Sequence, residues 1–183
     1  MDELAAEHGF TYQTCTADID ERAIRDRDPE RLVTLLARAK ADAIRAKLAA
    51  QGVRSGLLLT SDQVVVHDGE IWEKPEDAEQ ARSYMRQFDK GSLGTVGSLL
   101  WTNIESGETS EGITVTRIKF QPVPEATIEA LIEEGEIFWC AGGLMAEHPL
   151  VAPHILGMEG GMDAVMGLDR KQTMNLLEEL FSI

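Results

Sequence analysis

Between Leu57 and Lys74 the chain reads LLLTSDQVVVHDGEIWEK, and this stretch constrains the fold more than any other. Leu57, Leu58 and Leu59, then Val64, Val65 and Val66, predict a strand covered on both faces. Asp62 sits in the middle of that apolar run. A carboxylate in such a place costs several kcal/mol unless it is paired, protonated or ligated, so Asp62 is the first candidate for a site. Asp68-Gly69 predicts a tight turn, after which Lys74, just ahead of Pro75, stands at a strand end that a short hairpin could fold back beside Asp62. An acid and a base carried on rigid strands suit a site for a metal and an anion.

The rest of the chain supplies helices and further strands around this core. Met1 to His8 reads as a short helix ended by Gly9, and Phe10 to Thr16 alternates as a strand would. Asp28-Pro29-Glu30 is a helix start, and the helix it opens runs to Gly52 with Leu32, Leu36, Ala39 and Ala43 as its apolar stripe, extended by Val33, Ala37 and Ile44. Lys40 borders that stripe. Its stem can lie along the core with the ammonium in water, or the ammonium can be aimed at a ligand. Residues 76–88 predict a third helix, Ser92 to Thr102 and Ile113 to Phe120 two strands, Pro124 to Glu133 another helix, and Asp169 the start of the last one. Leu176, Leu177, Leu180 and Phe181 of that last helix are expected to face inward. Met145, Met158, Met162 and Met166 read as core filler.

These elements alternate without a regular βαβ repeat. They predict an α/β (α+β) fold, a mixed sheet with flanking helices, in one domain over residues 1–183 that divides into two lobes. A net charge of −15 argues against a nucleic-acid polymer as partner, because phosphate neutralisation needs clustered Lys and Arg. It leaves room for a small polyphosphate held by a few cations and a metal. No run is apolar enough to span a membrane and no signal peptide is evident, so a soluble cytoplasmic protein is expected. Cys15 and Cys140 form no CxxC pair, and His148 and His154 no zinc pattern, so both histidines read as ordinary loop or surface residues. The acidic cluster at Asp18, Asp20 and Glu21 can be a solvated loop or a source of oxygen ligands for Mg²⁺.

Four separated stretches also agree with one family. Ile19-Asp20-Glu21, the LARAKADAI helix from Leu36 to Ile44, SDQVVVHDGEIWEKP from Ser61, and CAGGLMAEHP from Cys140 followed by LGMEGGMDAVMGL closely resemble the Maf family of nucleotide pyrophosphatases. The resemblance covers nearly the whole chain, in order. It implies an elongated fold of the Maf and inosine-triphosphatase kind with a cleft between two lobes, a homodimer, and hydrolysis of a nucleoside triphosphate to the monophosphate and pyrophosphate with Mg²⁺ or Mn²⁺.

Carried over position by position, the resemblance makes Asp62 the catalytic acid that binds metal and helps activate water. Glu21 becomes a second metal ligand, and Lys40 and Lys74 become phosphate-binding groups. Glu147, where the thymidine and uridine triphosphatases usually carry Gln, points to the branch acting on 7-methyl-GTP, with dTTP or UTP as the alternative. A carboxylate can accept two hydrogen bonds from a guanine edge, whereas an amide matches the donor and acceptor of uracil or thymine. The family opens with a strand and a Ser-x-Ser-x-Arg-Arg loop that grips phosphates, and the resemblance begins here inside the following helix. Either Met1 is internal to a longer natural protein, or a form lacking that clamp is expected to turn over weakly or not at all, as an inactive nucleotide-binding or regulatory dimer would.

Overall fold

The computed structural model describes residues 1–182, which gather into two compact units. The first takes residues 1–62, 98–114 and the chain from Gly167 on; the second takes Gln63–Gly97 and Val115–Met166.

The long helix of the first unit, α2, follows a short α1 (Asp2–His8) and spans Pro29–Ala50. The Asp28 side chain accepts from the free N–H groups of Glu30 and Arg31, and Pro29 has no N–H to satisfy, so the start is locally encoded. The buried face is Leu32, Val33, Leu36, Ala37, Ala41 and Ile44. Ala41, not Ala39 or Ala43, completes the stripe, because the steps from Val33 to Ala37 to Ala41 keep one side of the helix facing the sheet.

That helix lies on strands β1 (Leu57–His67) and β3 (Leu93–Asn103), whose first-unit portions it contacts. Thr60 Oγ1 donates to the Ala37 carbonyl at 2.9 Å, and Ser98 Oγ donates to that of Val33 at 2.7 Å. Period-two alternation along β3 then sorts its side chains. Leu100 joins Ala37, Ala41 and Leu58, while Leu99 and Trp101 join Leu176 and Leu180 of the final helix α6 (Arg170–Phe181). Trp101 Nε1 donates to the Thr173 carbonyl at 2.8 Å, and Asp169 caps α6 through the Gln172 N–H at 2.9 Å. Phe181 does not pack inward; it is 64% exposed, one step past the last turn that faces β3. β4 (Thr109–Val115) pairs with β3.

Two further expectations fail in this unit. Phe10 to Thr16 forms no strand. Its alternation has no apolar face to bury, since Tyr12 is 39% exposed and donates its hydroxyl to Asp2 at 2.6 Å. Nor is β1 covered on both faces: Leu57 is exposed, and only Thr60, Val65 and His67 are fully buried along the strand.

In the second unit β1 turns back through Asp68 (φ 49°) and Gly69 (φ 86°) into β2 (Glu70–Trp72), with Val65 opposite Trp72. Two consecutive residues at positive φ make the tight hairpin that Asp-Gly predicts. β5 (Arg117–Phe120) pairs antiparallel with β3 and with β6 (Ile155–Glu159), giving the sheet order β2-β1-β3-β5-β6. The strand expected over Ile113 to Phe120 is broken at Thr116. Thr116 and Thr95 share hydrogen bonds there, and β3 passes so close that a Cβ on Gly94 would stand 1.9 Å from the Thr116 carbonyl oxygen.

Helices α3 (Ala78–Met85) and α4 (Glu125–Glu134) cover this half of the sheet, burying Met85, Phe88, Leu93, Ile128, Leu131, Ile137 and Val151 almost completely. Paired guanidinium–carboxylate forks, Arg82 to Glu129 and Arg86 to Glu125, join the two helices on their exposed side. His67, Trp72 and Tyr84 stack at 4.3 Å spacings. Met145 is buried and Met158 packs on the core as expected. Met162 and Met166, at the two ends of the short α5 segment (Met162–Val165), instead face solvent, Met166 with 62% exposure.

Candidate active site

In the first unit three of the sequence-predicted residues meet. Lys40, from the middle of α2, donates from Nζ to Asp62 Oδ1 at 2.5 Å and lies 3.0 Å from Glu21 Oε1. The Asp62 side chain is 11% exposed and that of Lys40 21%, so the charge inside the apolar strand has found its counterion. This answers the cost that singled out Asp62. The Lys40 ammonium is thus directed at two carboxylates and is not left in water beside the core.

Glu21 arrives by a separate route. It opens a single 3₁₀ turn (Glu21–Ala23) capped by Asp20, whose side chain accepts from the Arg22 N–H. The preceding segment is held along α2 two turns further on, where Lys47 Nζ donates to the Thr16 carbonyl at 3.3 Å and lies 3.5 Å from Asp18. Lys40 and Lys47 are seven residues apart and share one helix face, so a single row of ammonium groups fastens the acidic loop. Burial pulls the Lys40 pKa down, but the hydrogen bonds and charges of Asp62, and then of Glu21, outweigh it. The ammonium is held above the ordinary lysine range.

Lys74 and Glu147 belong to the second unit, and both are exposed. Lys74 follows β2, and its neighbour Glu73 accepts at its carbonyl from the Gly142 N–H at 2.9 Å, which fastens the strand end to the CAGG turn. Gly142 and Gly143 have φ of 60° and 63° there, and a Cβ on Gly142 would sit 2.7 Å from a Val65 methyl. Cys140 lies in the same neighbourhood. Its thiol pKa is raised first by burial, then by the charges of Glu147 and Glu136, and Lys74 opposes them.

Among the described residues no group of three or more His, Cys, Asp or Glu side chains is gathered as a metal cage would require. The pair that converges on Lys40 is the right kind for a looser site. Mg²⁺ typically takes one or two carboxylates and completes its shell with water and substrate phosphates. Glu21 and Asp62 supply two hard oxygen donors already drawn to one cation.

Sequence reasoning overlooked two residues. Gln63, beside Asp62, donates to Thr95 Oγ1 at 3.2 Å and to the Ala164 carbonyl at 2.7 Å, pinning β1 where it leaves the site. Its place in SDQV was the available signal. His148, read as an ordinary loop or surface residue, is engaged on both ring nitrogens.

The sequence profile of the family described as Maf-like protein matches residues 2–180. The chain belongs to the Maf family. It is 34% identical over 181 residues to a protein of Dictyostelium discoideum named 7-methyl-GTP pyrophosphatase, covering 97% of this chain and 91% of that one. It is 33% identical over 179 residues to the dTTP/UTP pyrophosphatase of Chromobacterium violaceum, with 97% and 88% covered. It is also 33% identical over 172 residues to a nucleoside triphosphate pyrophosphatase of Parasynechococcus marenigrum, with 92% and 84% covered. In this Maf-family chain no described helix is long and apolar enough to cross a membrane.

Proposed function

We propose that this Maf-family chain hydrolyses a nucleoside triphosphate to the monophosphate and pyrophosphate. The observation that carries the reading is the meeting of Lys40 with Asp62 and Glu21 in the first unit. Water attacks the α-phosphorus and a new P–O bond forms. The bond to the bridging oxygen breaks, and its electron pair leaves on pyrophosphate. The water proton passes toward Asp62, the less exposed of the two carboxylates, which orients the nucleophile. Lys40 exchanges its contact with Asp62 for the incoming phosphates and takes up the charge that develops on the leaving group. Glu21 and Asp62 would hold Mg²⁺ or Mn²⁺, which supplies further charge neutralisation when bound. Lys74 is read as a second phosphate contact.

Glu147 is read as the base-recognising group, its two oxygens accepting the N1–H and N2–H of a guanine edge. The substrate proposed first is therefore a 7-methyl-GTP-like triphosphate, as in the name of the Dictyostelium relative. By the same family resemblance the working form is read as a cytoplasmic homodimer, which light scattering tests for its stoichiometry. The activity is tested by pyrophosphate release with Mg²⁺ from 7-methyl-GTP, dTTP, UTP and ITP, beside Asp62→Asn and a chelated control. Release from 7-methyl-GTP that falls at least about 100-fold in Asp62→Asn is expected. Full activity in that variant would remove the mechanism, and tight binding without release would favour a nucleotide-binding dimer.

A further inference from the structure

Glu147 stands between two fixed points. On one side Met145 and Ala146 are buried in the core of the second unit, with 4% and 1% exposure. On the other is His148, which ties the turn together through both its backbone and its ring. Its N–H donates to the Met145 carbonyl at 2.9 Å, and its own carbonyl accepts from Val151 and Ala152 at 2.8 and 2.9 Å. The ring Nδ1 accepts from the Leu150 N–H at 3.2 Å. Nε2 lies 3.0 Å from a carboxylate oxygen of Glu134, the last residue of α4. An acceptor at Nδ1 places the proton on Nε2, so one tautomer serves both contacts. The imidazole side chain is 18% exposed, while Glu147 beside it is open to solvent.

We propose that His148 is a positioning residue for base selection, holding the Glu147 backbone against the end of α4 so that its carboxylate meets the base in one orientation. The inference rests on the reading of Glu147 given above. It assigns to the residue after Glu147 the rigidity that a two-oxygen, two-donor match demands. An acceptor swinging on a loose turn would take a uracil edge through water almost as readily as a guanine edge. Base discrimination, and not the chemical step built on Asp62 and Lys40, is what His148 then controls.

The test is steady-state pyrophosphate release by the full chain, wild type against His148→Ala and His148→Asn. It uses the best and second-best of 7-methyl-GTP, dTTP, UTP and ITP, with the melting temperature followed in parallel. In His148→Ala, KM for the best substrate rises about tenfold, kcat stays within about twofold, and the ratio of kcat/KM between the two substrates falls about tenfold. Asn at this position can accept the Leu150 N–H in an Asx turn, so His148→Asn recovers at least about threefold of that ratio. An unchanged ratio in His148→Ala overturns the inference while leaving the proposed activity standing. So does a fall in kcat and melting temperature with the ratio kept. A wild-type chain that releases no pyrophosphate from any of the four removes the proposed function and this inference with it.

Discussion

Replacing Lys40 by Met keeps the length and most of the apolar stem of the side chain and removes one charge, which leaves Asp62 in a strand where its side chain is only 11% exposed. Breaking a fully buried ion pair by deleting one partner costs about 3–5 kcal/mol, whereas an exposed pair is worth about 0–1 kcal/mol. With the two side chains 11% and 21% exposed and Glu21 also deprived of its partner, the cost falls between those limits, about 2 kcal/mol. For a chain of this size that is a fall in melting temperature of roughly 4–8 °C. Removing the Asp62 charge as well should recover much of it. Urea unfolding of Lys40→Met, Asp62→Asn and the double variant is therefore expected to give a coupling energy of about 1–2 kcal/mol. The sign of the pH dependence follows from Lys40 being held above the ordinary lysine range. Its contribution is fully present below about pH 10.4, the unfolded-state value, and is lost only as pH rises through the higher folded value. The difference between wild type and Lys40→Met should accordingly stay flat across neutral pH and, on the alkaline side, narrow only in strong alkali. A coupling energy below about 0.5 kcal/mol would refute the claim that this pair answers the cost of the buried carboxylate. A difference that vanished near neutral pH would do the same.

Two other outcomes follow from the second unit. Gly94→Ala puts a methyl 1.9 Å from the Thr116 carbonyl oxygen, backbone that cannot swing aside, so a loss of more than about 3 kcal/mol and a sharp drop in soluble yield are expected; a chain melting within about 2 °C of wild type would contradict the tight crossing. The Cys140 thiol, raised by burial and then by Glu147 and Glu136, should react slowly with iodoacetamide near pH 7.5 and speed up only above the ordinary thiol value of about 8.5. Glu147→Gln should bring that rise to lower pH and Lys74→Ala to higher pH, and a pH profile indifferent to both would separate Cys140 from those charges.

The features legible in the sequence share a physical origin, which is that their causes lie within a few residues. Asp28 and Asp169 cap their own helices, and Gly9 and Gly135 end theirs in left-handed conformations. Asp68-Gly69 makes its hairpin by its own backbone preference. Asp62 was conspicuous because Leu57–Leu59 and Val64–Val66 flank it, and that is also a local fact. What failed depended on partners far along the chain. β6 was hidden in a Gly- and Met-rich stretch because its reason to be extended is β5, some forty residues earlier by the pairing of Arg117 with Glu159. The expected strand over Ile113 to Phe120 broke because Gly94 and Thr95 meet it at Thr116.

The candidate site divides along the same line. Which residue types are present, two acids and two lysines with a further acid after the glycine turn, could be listed from the chain alone. That Lys40 points at Asp62 and not along the core was decided by tertiary structure. So was the arrival of Glu21 from a loop fastened to α2 by a second lysine, and the clamp that His148 places beside Glu147. Sequence alone determined the local elements, their capped ends and the family. Only the fold could decide which charges share a few ångströms, because Coulomb and hydrogen-bond energies depend on distance and burial that residues far apart in the chain acquire together.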